Sequence, residues 1–144
     1  MLTTSRFLAV RVPLIAALAV LVLALFASQA SARYVYTGNY EEGTISVIDT
    51  ATNQVIGGPI STGDEPSSLA VAPNGQALYV ANDSSKVITV VNTQSNTVIG
   101  SIPLDSEAAT IPISPDGKTA YVTARGETLL FVVDLQTNQV IGPP

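Results

Sequence analysis

The chain has 144 residues, of which 47% are hydrophobic, and sets 6 Lys and Arg against 11 Asp and Glu for a formal net charge of −5. It contains no histidine and no cysteine. That excludes disulfides, thiolate nucleophiles, iron–sulfur and cysteine-rich zinc sites, histidine-ligated haem, type-1 copper and Ser-His-Asp triads.

The first segment carries Arg6 and Arg11, then an unbroken apolar run from Leu14 to Phe26, then Ala30-Ser31-Ala32. A charged head, an apolar stretch shorter than the about 20 residues of a membrane span, and an A-x-A-like ending together make an export signal. Residues 1–32 are therefore expected to form a signal-peptide helix, removed after Ala32. An uncleaved anchor over Val12 to Ala27 is the competing reading; a lipid anchor through cysteine is excluded. The expected location is exported: periplasmic, extracellular or at the cell surface. The remaining segment, 33–144, holds four cations, Arg33, Lys86, Lys118 and Arg125, against all eleven carboxylates. Four scattered cations cannot form the clustered basic patch that a phosphate backbone requires, so nucleic acid is not an expected partner.

From residue 33 the chain repeats. Tyr36 to Gly57, Tyr79 to Gly100 and Tyr121 to Gly142 are three copies of one segment, spaced by about 42–43 residues, a period typical of stacked supersecondary units. Runs of Val, Ile, Thr and Tyr alternate with Gly, Pro, Asn and Asp clusters, which is the grammar of strands and turns without any helical stripe. One strand type is predicted at Tyr34–Thr37, Ala77–Ala81 and Thr119–Thr123. A second falls at Thr44–Asp49, Val87–Asn92 and Thr128–Asp134, and a third at Gln54–Ile60, Thr97–Pro103 and Gln139–Ile141. A fourth appears only twice, at Ser67–Ala72 and Ala108–Ser114. It leads into Ala72-Pro73-Asn74-Gly75 and Ser114-Pro115-Asp116-Gly117, where proline presets the first corner, Asn74 or Asp116 tolerates the second, and glycine takes positive φ. The segments Asp49 to Asn53, Asn92 to Asn96 and Asp134 to Asn138 are expected to be Asx-type turns joining the second and third strands. Four-stranded antiparallel units at this period predict an all-β fold, a partial β-propeller of about three blades with 11 strands; a parallel β-solenoid is the rival.

These residues also resemble a known family. Tyr79-Val80-Ala81-Asn82 and Tyr121-Val122-Thr123-Ala124 look like the signature tetrapeptide Tyr-Val-Thr-Asn of the YVTN-family β-propeller repeat. The segments Ile45 to Asn53 and Ser114 to Lys118 look like its other two recurrent blocks. The resemblance covers Tyr34 to Gly142 and implies a propeller of typically seven blades, found in exported surface proteins and in several extracytoplasmic redox enzymes. The departures are Ala124 in place of the signature Asn, and a loop, Asp105 to Ala109, without the usual Gly and Pro. If the family's blades run from an inner strand to an outer one, Ser67–Ala72 and Ala108–Ser114 are inner strands and the first blade lacks its own. A strand beyond residue 144 is then expected to fill that place, the chain reading as the first part of a larger ring, or else as a unit that self-associates to close one.

Glu41-Glu42 and Asp64-Glu65 are paired carboxylates on loops, where adjacent side chains splay apart, so solvated turns are expected there. Asp49, Asn92 and Asp134 share one repeat position and are expected to cap turns. Tyr36, Tyr79 and Tyr121 are expected to pack between blades. Asn39, Asn82 and Ala124 end the Tyr-containing strand, with Tyr40, Asp83 and Arg125 next. Loops on one propeller face converge, so Asn39, Asn82, Asp83 and Arg125 are the candidate ligand-binding residues. No catalytic, cofactor-binding or metal-ligating residue is indicated, and no cofactor; G-x-S-x-G, P-loop and EF-hand motifs do not occur. Asn82-Asp83-Ser84 has the form of a glycosylation sequon. The function expected is an exported non-catalytic scaffold that presents a loop surface to an envelope protein or other ligand. The alternatives are the amino-terminal fragment of a propeller enzyme, lactonase-like or a periplasmic dehydrogenase, and a structural surface-layer component.

Overall fold

In the computed structural model the described residues are 33–63 and 65–142; the expected signal peptide and its cleavage point lie outside them. Eleven strands form three antiparallel sheets. Blade 1 contains β1 (Tyr34–Asn39), β2 (Thr44–Asp49) and β3 (Gln54–Ser61). Blade 2 contains β4 (Pro66–Val71), β5 (Ala77–Asn82), β6 (Val87–Asn92) and β7 (Thr97–Pro103). Blade 3 contains β8 (Ala108–Thr110), β9 (Thr119–Ala124), β10 (Leu130–Asp134) and β11 (Gln139–Val140). Each is a meander in chain order, and the fold is a partial β-propeller. Blade 1 has three strands because nothing among the described residues pairs with the free edge of β1.

The expected strands are recovered within one or two residues, except at β8. The run Ala108–Ser114 pairs as a strand only to Thr110, with an isolated bridge between Ile113 and Ala120. Pro112 has no N–H to give the ladder, and the register already shifts between Ala108 and Thr110. The turns behave as their residues dictate. Gly75 N donates to Ala72 O at 2.7 Å and Gly117 N to Ser114 O at 2.8 Å, both glycines at φ 71°, a region where a side chain would be strained. At the opposite corners Asp49 Oδ1 accepts from Ala51 N (2.8 Å), Asn92 Oδ1 from Gln94 N (2.9 Å) and Asp134 Oδ1 from Gln136 N (2.8 Å). Each turn closes through an asparagine in the left-handed region: Asn53, Asn96 and Asn138 at φ 55°, 54° and 54°. The acid and amide at this repeat position cap turns, as expected.

Stacking of sheets makes the core. Side chains alternate between faces along a strand, so each blade offers two apolar faces. Ile45, Val47 and Ile60 of blade 1 meet Leu78, Val80 and Val91 of blade 2 in one cluster. Tyr79, Ala81, Ile88 and Val90, on the opposite face of blade 2, meet Ala120, Val122, Phe131 and Val133 of blade 3 in another. Closest approach comes at Gly38, where an added Cβ would stand 2.8 Å from the carbonyl oxygen of Pro66 and 3.3 Å from Leu69 Cδ1. A side chain there would push blade 1 off β4.

Two outcomes follow. Gly38→Ala should destabilise the fold by about 1–3 kcal/mol in urea unfolding, whereas Gly100→Ala, whose Cβ would meet nothing within 4 Å, should not; equal effects would sink the close-approach account. Backbone N–H groups bonded to Asp134 hold its carboxyl below the ordinary carboxylate range, as they do for Asp49 with help from Arg33. A depressed folded-state pKa gives stability that is complete above the unfolded value of about 4 and is lost as pH falls through the lower folded value. Asp134→Asn should keep the turn, as Asn92 does, and shallow the acid limb of the unfolding midpoint; an unchanged limb would refute this.

Candidate functional site

The connections β1–β2, β5–β6, β9–β10, β3–β4 and β7–β8 gather at one end of the blades, stitched by recurring backbone bonds. Thr62 N donates to Gly43 O (3.1 Å) and Leu104 N to Lys86 O (2.8 Å); Asp83 N donates to Glu65 O (2.9 Å) and Arg125 N to Glu107 O (2.8 Å). The candidate residues all sit here, in three different environments.

Asn39 closes its own blade: its Nδ2 donates to Thr44 Oγ1 and Ser46 Oγ, each at 2.9 Å. Asn82, at the same repeat position in blade 2, is fully buried. Its Nδ2 donates to Thr62 O and to Thr89 Oγ1, both at 3.1 Å. Such an amide ties the β3–β4 connection to β6, and burial leaves no room for a glycan on the Asn82-Asp83-Ser84 sequon. In blade 3 the position is Ala124, 6% exposed, and the tie is absent.

The next repeat position does something the pattern alone did not show. Tyr40, Asp83 and Arg125, one from each blade, meet: Tyr40 Oη donates to Asp83 Oδ2 at 3.1 Å, and Arg125 Nη2 bonds to the same oxygen. Asp83 is buried, with 4% of its side chain exposed, while Arg125 keeps 55% of its own. Partial desolvation raises the Tyr40 hydroxyl pKa above its ordinary value and the bond to Asp83 adds to this, so Tyr40 remains a donor across neutral pH. The three side chains clamp three blades at their loop ends. Thr62 Oγ1, Asn82 Oδ1, Asp83 Oδ1 and Ser85 Oγ are buried there without a hydrogen-bond partner in the protein, so two carbonyl-type oxygens keep acceptor capacity beneath the surface.

Two clefts flank the clamp at equivalent positions between blades. The first, of about 340 Å³, is lined by Glu41, Glu42, Gly43, Glu65 and Ser84. Ser84 Oγ donates to Glu65 Oε2 within it. The second, of about 250 Å³, is lined by Lys86, Ser106, Glu107, Arg125 and Glu127, with Ser106 Oγ donating to Glu127 Oε1 at 3.1 Å. One cleft is therefore acidic and the other mixed in charge. Of the paired carboxylates, Glu41 and Glu42 are exposed on their turn as expected, and Asp64 lies outside the described residues. Among the described residues no three acidic side chains converge as a metal-binding group.

No family model matches the chain, and the comparison with curated proteins gives no match. Among solved structures it is similar to a chain of Kuenenia stuttgartiensis hydrazine synthase, with a TM-score of 0.71 and 31% sequence identity. The match covers 76% of this chain and 31% of that one; this chain thus spans about a third of the chain it resembles. With 578 solved chains matching, the likeness speaks first to a β-rich architecture, and architecture does not fix a reaction.

The clamp gives a prediction. Asp83→Ala removes the shared acceptor and should cost about 1.5–3 kcal/mol, toward the lower end because the exposed Arg125 rehydrates. Tyr40→Phe should destabilise the natural chain and be silent in the Asp83→Ala background. Additive effects in that double-mutant cycle would show that the hydroxyl contributes elsewhere.

Proposed function

We propose that this chain is an exported, non-catalytic β-propeller scaffold of the YVTN-repeat kind that presents its loop end to a basic segment of an envelope protein. The observation that carries the reading is the pair of repeat-equivalent clefts around the Tyr40–Asp83–Arg125 clamp, of which the first is walled by Glu41, Glu42 and Glu65. A rigid frame that repeats its backbone but not its charges is suited to selecting a partner. Loops held on stacked sheets recur as binding surfaces because the sheets fix their positions while their side chains vary. Export rests on the leader-like pattern of residues 1–32, and the absence of histidine and cysteine from the sequence supports a role without thiolate or imidazole-assisted chemistry.

The likeness to hydrazine synthase favours a second reading, in which the chain is a portion of a propeller-containing enzyme and the catalytic groups lie elsewhere. There the loop end would still contact a partner, but as part of an enzyme assembly.

The full chain, immobilised after export, should retain proteins from the envelope fraction of its own source. Glu41→Gln with Glu42→Gln should reduce retention at least tenfold, and Gln94→Ala, on a turn at the opposite end of blade 2, should not. Retention indifferent to the glutamates would reject the acidic cleft as the contact surface. A turnover-competent complex recovered in the same fraction would support the enzyme reading.

A further inference from the structure

Four buried side-chain oxygens at the loop end find no hydrogen-bond partner in the protein: Thr62 Oγ1, Asn82 Oδ1, Asp83 Oδ1 and Ser85 Oγ. Three of their residues are almost wholly covered, Asn82 at 0%, Thr62 at 4% and Asp83 at 5% exposure. Buried polar atoms without partners cost stability, and in folded proteins they are few. Here they gather in two stretches only, the β3–β4 connection and the end of β5 with the turn that follows it.

Those two stretches are sewn together between blades 1 and 2. Asn82 Nδ2 donates to Thr62 O at 3.1 Å, Asp83 N to Glu65 O at 2.9 Å, and Ser84 Oγ to Glu65 Oε2. Gly63 packs over the Asn82 amide, where an added Cβ would stand 3.2 Å from Nδ2 and 4.0 Å from Oδ1. The free atoms are held in place by what their other ends do. Asn82 Nδ2 is engaged by Thr62 O and Thr89 Oγ1, so turning the amide over would set its oxygen against the Thr62 carbonyl. Asp83 Oδ2 is taken by Tyr40 and Arg125, which leaves Oδ1 as the carboxylate's open end. Both remaining oxygens can only accept. Glu65 and Ser84, which join the two stretches, also line the cleft of about 340 Å³ whose other walls are Glu41, Glu42 and Gly43. The acidic mouth thus opens onto the same segments that carry the unpartnered oxygens.

We propose that these segments hold a calcium ion, with Asp83 Oδ1 and Asn82 Oδ1 as its principal protein ligands, Thr62 Oγ1 and Ser85 Oγ beside them, and water from the cleft in the remaining positions. A donor set made only of oxygens suits a hard cation and not the metals that seek imidazole or thiolate. Calcium accepts mixed carboxylate, amide and hydroxyl oxygens in irregular geometry, whereas magnesium demands a near-ideal octahedron and keeps more of its water. Such a site needs no group of three acidic side chains, and none occurs among the described residues. Glu41, Glu42 and Glu65 raise the cation concentration at the mouth. With one carboxylate in direct contact and Arg125 on its other oxygen, the affinity should be that of extracellular modules, about 10⁻⁴–10⁻³ M. The bound ion would fasten the connection between blades 1 and 2 to the β5–β6 turn.

The full chain, recovered after export and treated with a chelator, is titrated with calcium while its melting temperature is followed, and in parallel with terbium. Tyr40 sensitises terbium luminescence at this site because its hydroxyl is bonded to Asp83. Calcium should saturate a single site, raise the melting temperature and displace terbium, with magnesium much less effective. Thr62→Val and Ser85→Ala remove hydroxyls whose oxygens bond nothing in the protein, so the calcium-free chain should melt as before, while calcium affinity falls about tenfold. Absence of saturation at millimolar calcium would overturn the proposal and leave water as the partner of these oxygens. Binding that Glu41→Gln with Glu42→Gln abolishes, and that Thr62→Val and Ser85→Ala leave untouched, would overturn it as well, since the ion would then be a counter-ion on the rim.

Discussion

A sheet with two apolar faces can bury both only between two other sheets, and this requirement governs the whole molecule. The three blades are copies of one unit, yet their burial differs because their neighbours differ. In β5 five of the six residues are buried, in β1 burial alternates with Val35 and Thr37 outward, and in β9 it alternates in the opposite phase with Tyr121 outward. The same pleat gives three burial patterns according to which side has a partner. Burying each large aliphatic or aromatic side chain contributes about 1.5–3 kcal/mol. The two inter-blade clusters therefore outweigh any single polar contact at the loop end.

Apolar stacking is non-directional, so it leaves the relative slide and tilt of the blades weakly specified. Directional contacts supply the missing constraint at both ends of the stack. At the loop end Asp83 takes bonds from Tyr40 and Arg125, so a single buried oxygen reports the position of all three blades. At the turn end the Tyr36 hydroxyl reaches Asn96. Between them Gly38 lets β1 approach the Pro66 carbonyl more closely than any side chain permits. A buried carboxylate is costly unless well partnered, and Asp83 has one oxygen fully engaged and one with no protein partner. The clamp therefore adds less stability than its charge attraction alone would give, and its distinct contribution is to set the register of the three blades.

Strands and turns were legible because their chemistry is local. Pro-Asn-Gly and Pro-Asp-Gly set corners whatever surrounds them, and Asp49, Asn92 and Asp134 cap turns using backbone only two or three residues away. What the sequence concealed depends on distance between blades. The spacing of Tyr40, Asp83 and Arg125 showed that they share a repeat position, but whether a phenol and a guanidinium reach one carboxylate depends on blade separation, which side-chain volumes in the core decide. Asn82 ends its strand beside the converging loops, which makes it a candidate ligand contact in the sequence; in the fold it is fully buried, its amide bonded to Thr62 and Thr89. The shortening of β8 was hidden for a related reason: Pro112 stands within a run of apolar and β-forming residues, and only the partner strand reveals which N–H the ladder lacks. Tyr121 is the mirror case, a residue expected to pack between blades that has no following blade among the described residues to pack against.

The loop end gains its individuality from the positions that the scaffold leaves free. Asn39, Asn82 and Ala124 occupy one repeat position, and the scaffold uses the first two for hydrogen bonds and tolerates the third. Gly43 and Lys86 line the two clefts at equivalent places, as do Glu65 and Glu107. Conversion of Gly43 to a lysine position in the next blade, with Arg125 leaning over the same rim, changes an acidic cleft into one of mixed sign without altering the backbone bonds Thr62–Gly43 and Leu104–Lys86 that frame them. A partner that spans both clefts would meet a fixed spacing, set by the blade repeat, and a charge pattern that passes from acidic to mixed within it. Selectivity in such a surface comes from that pairing of constant geometry with varied charge, and it survives changes in any one loop that leave the stacked faces intact.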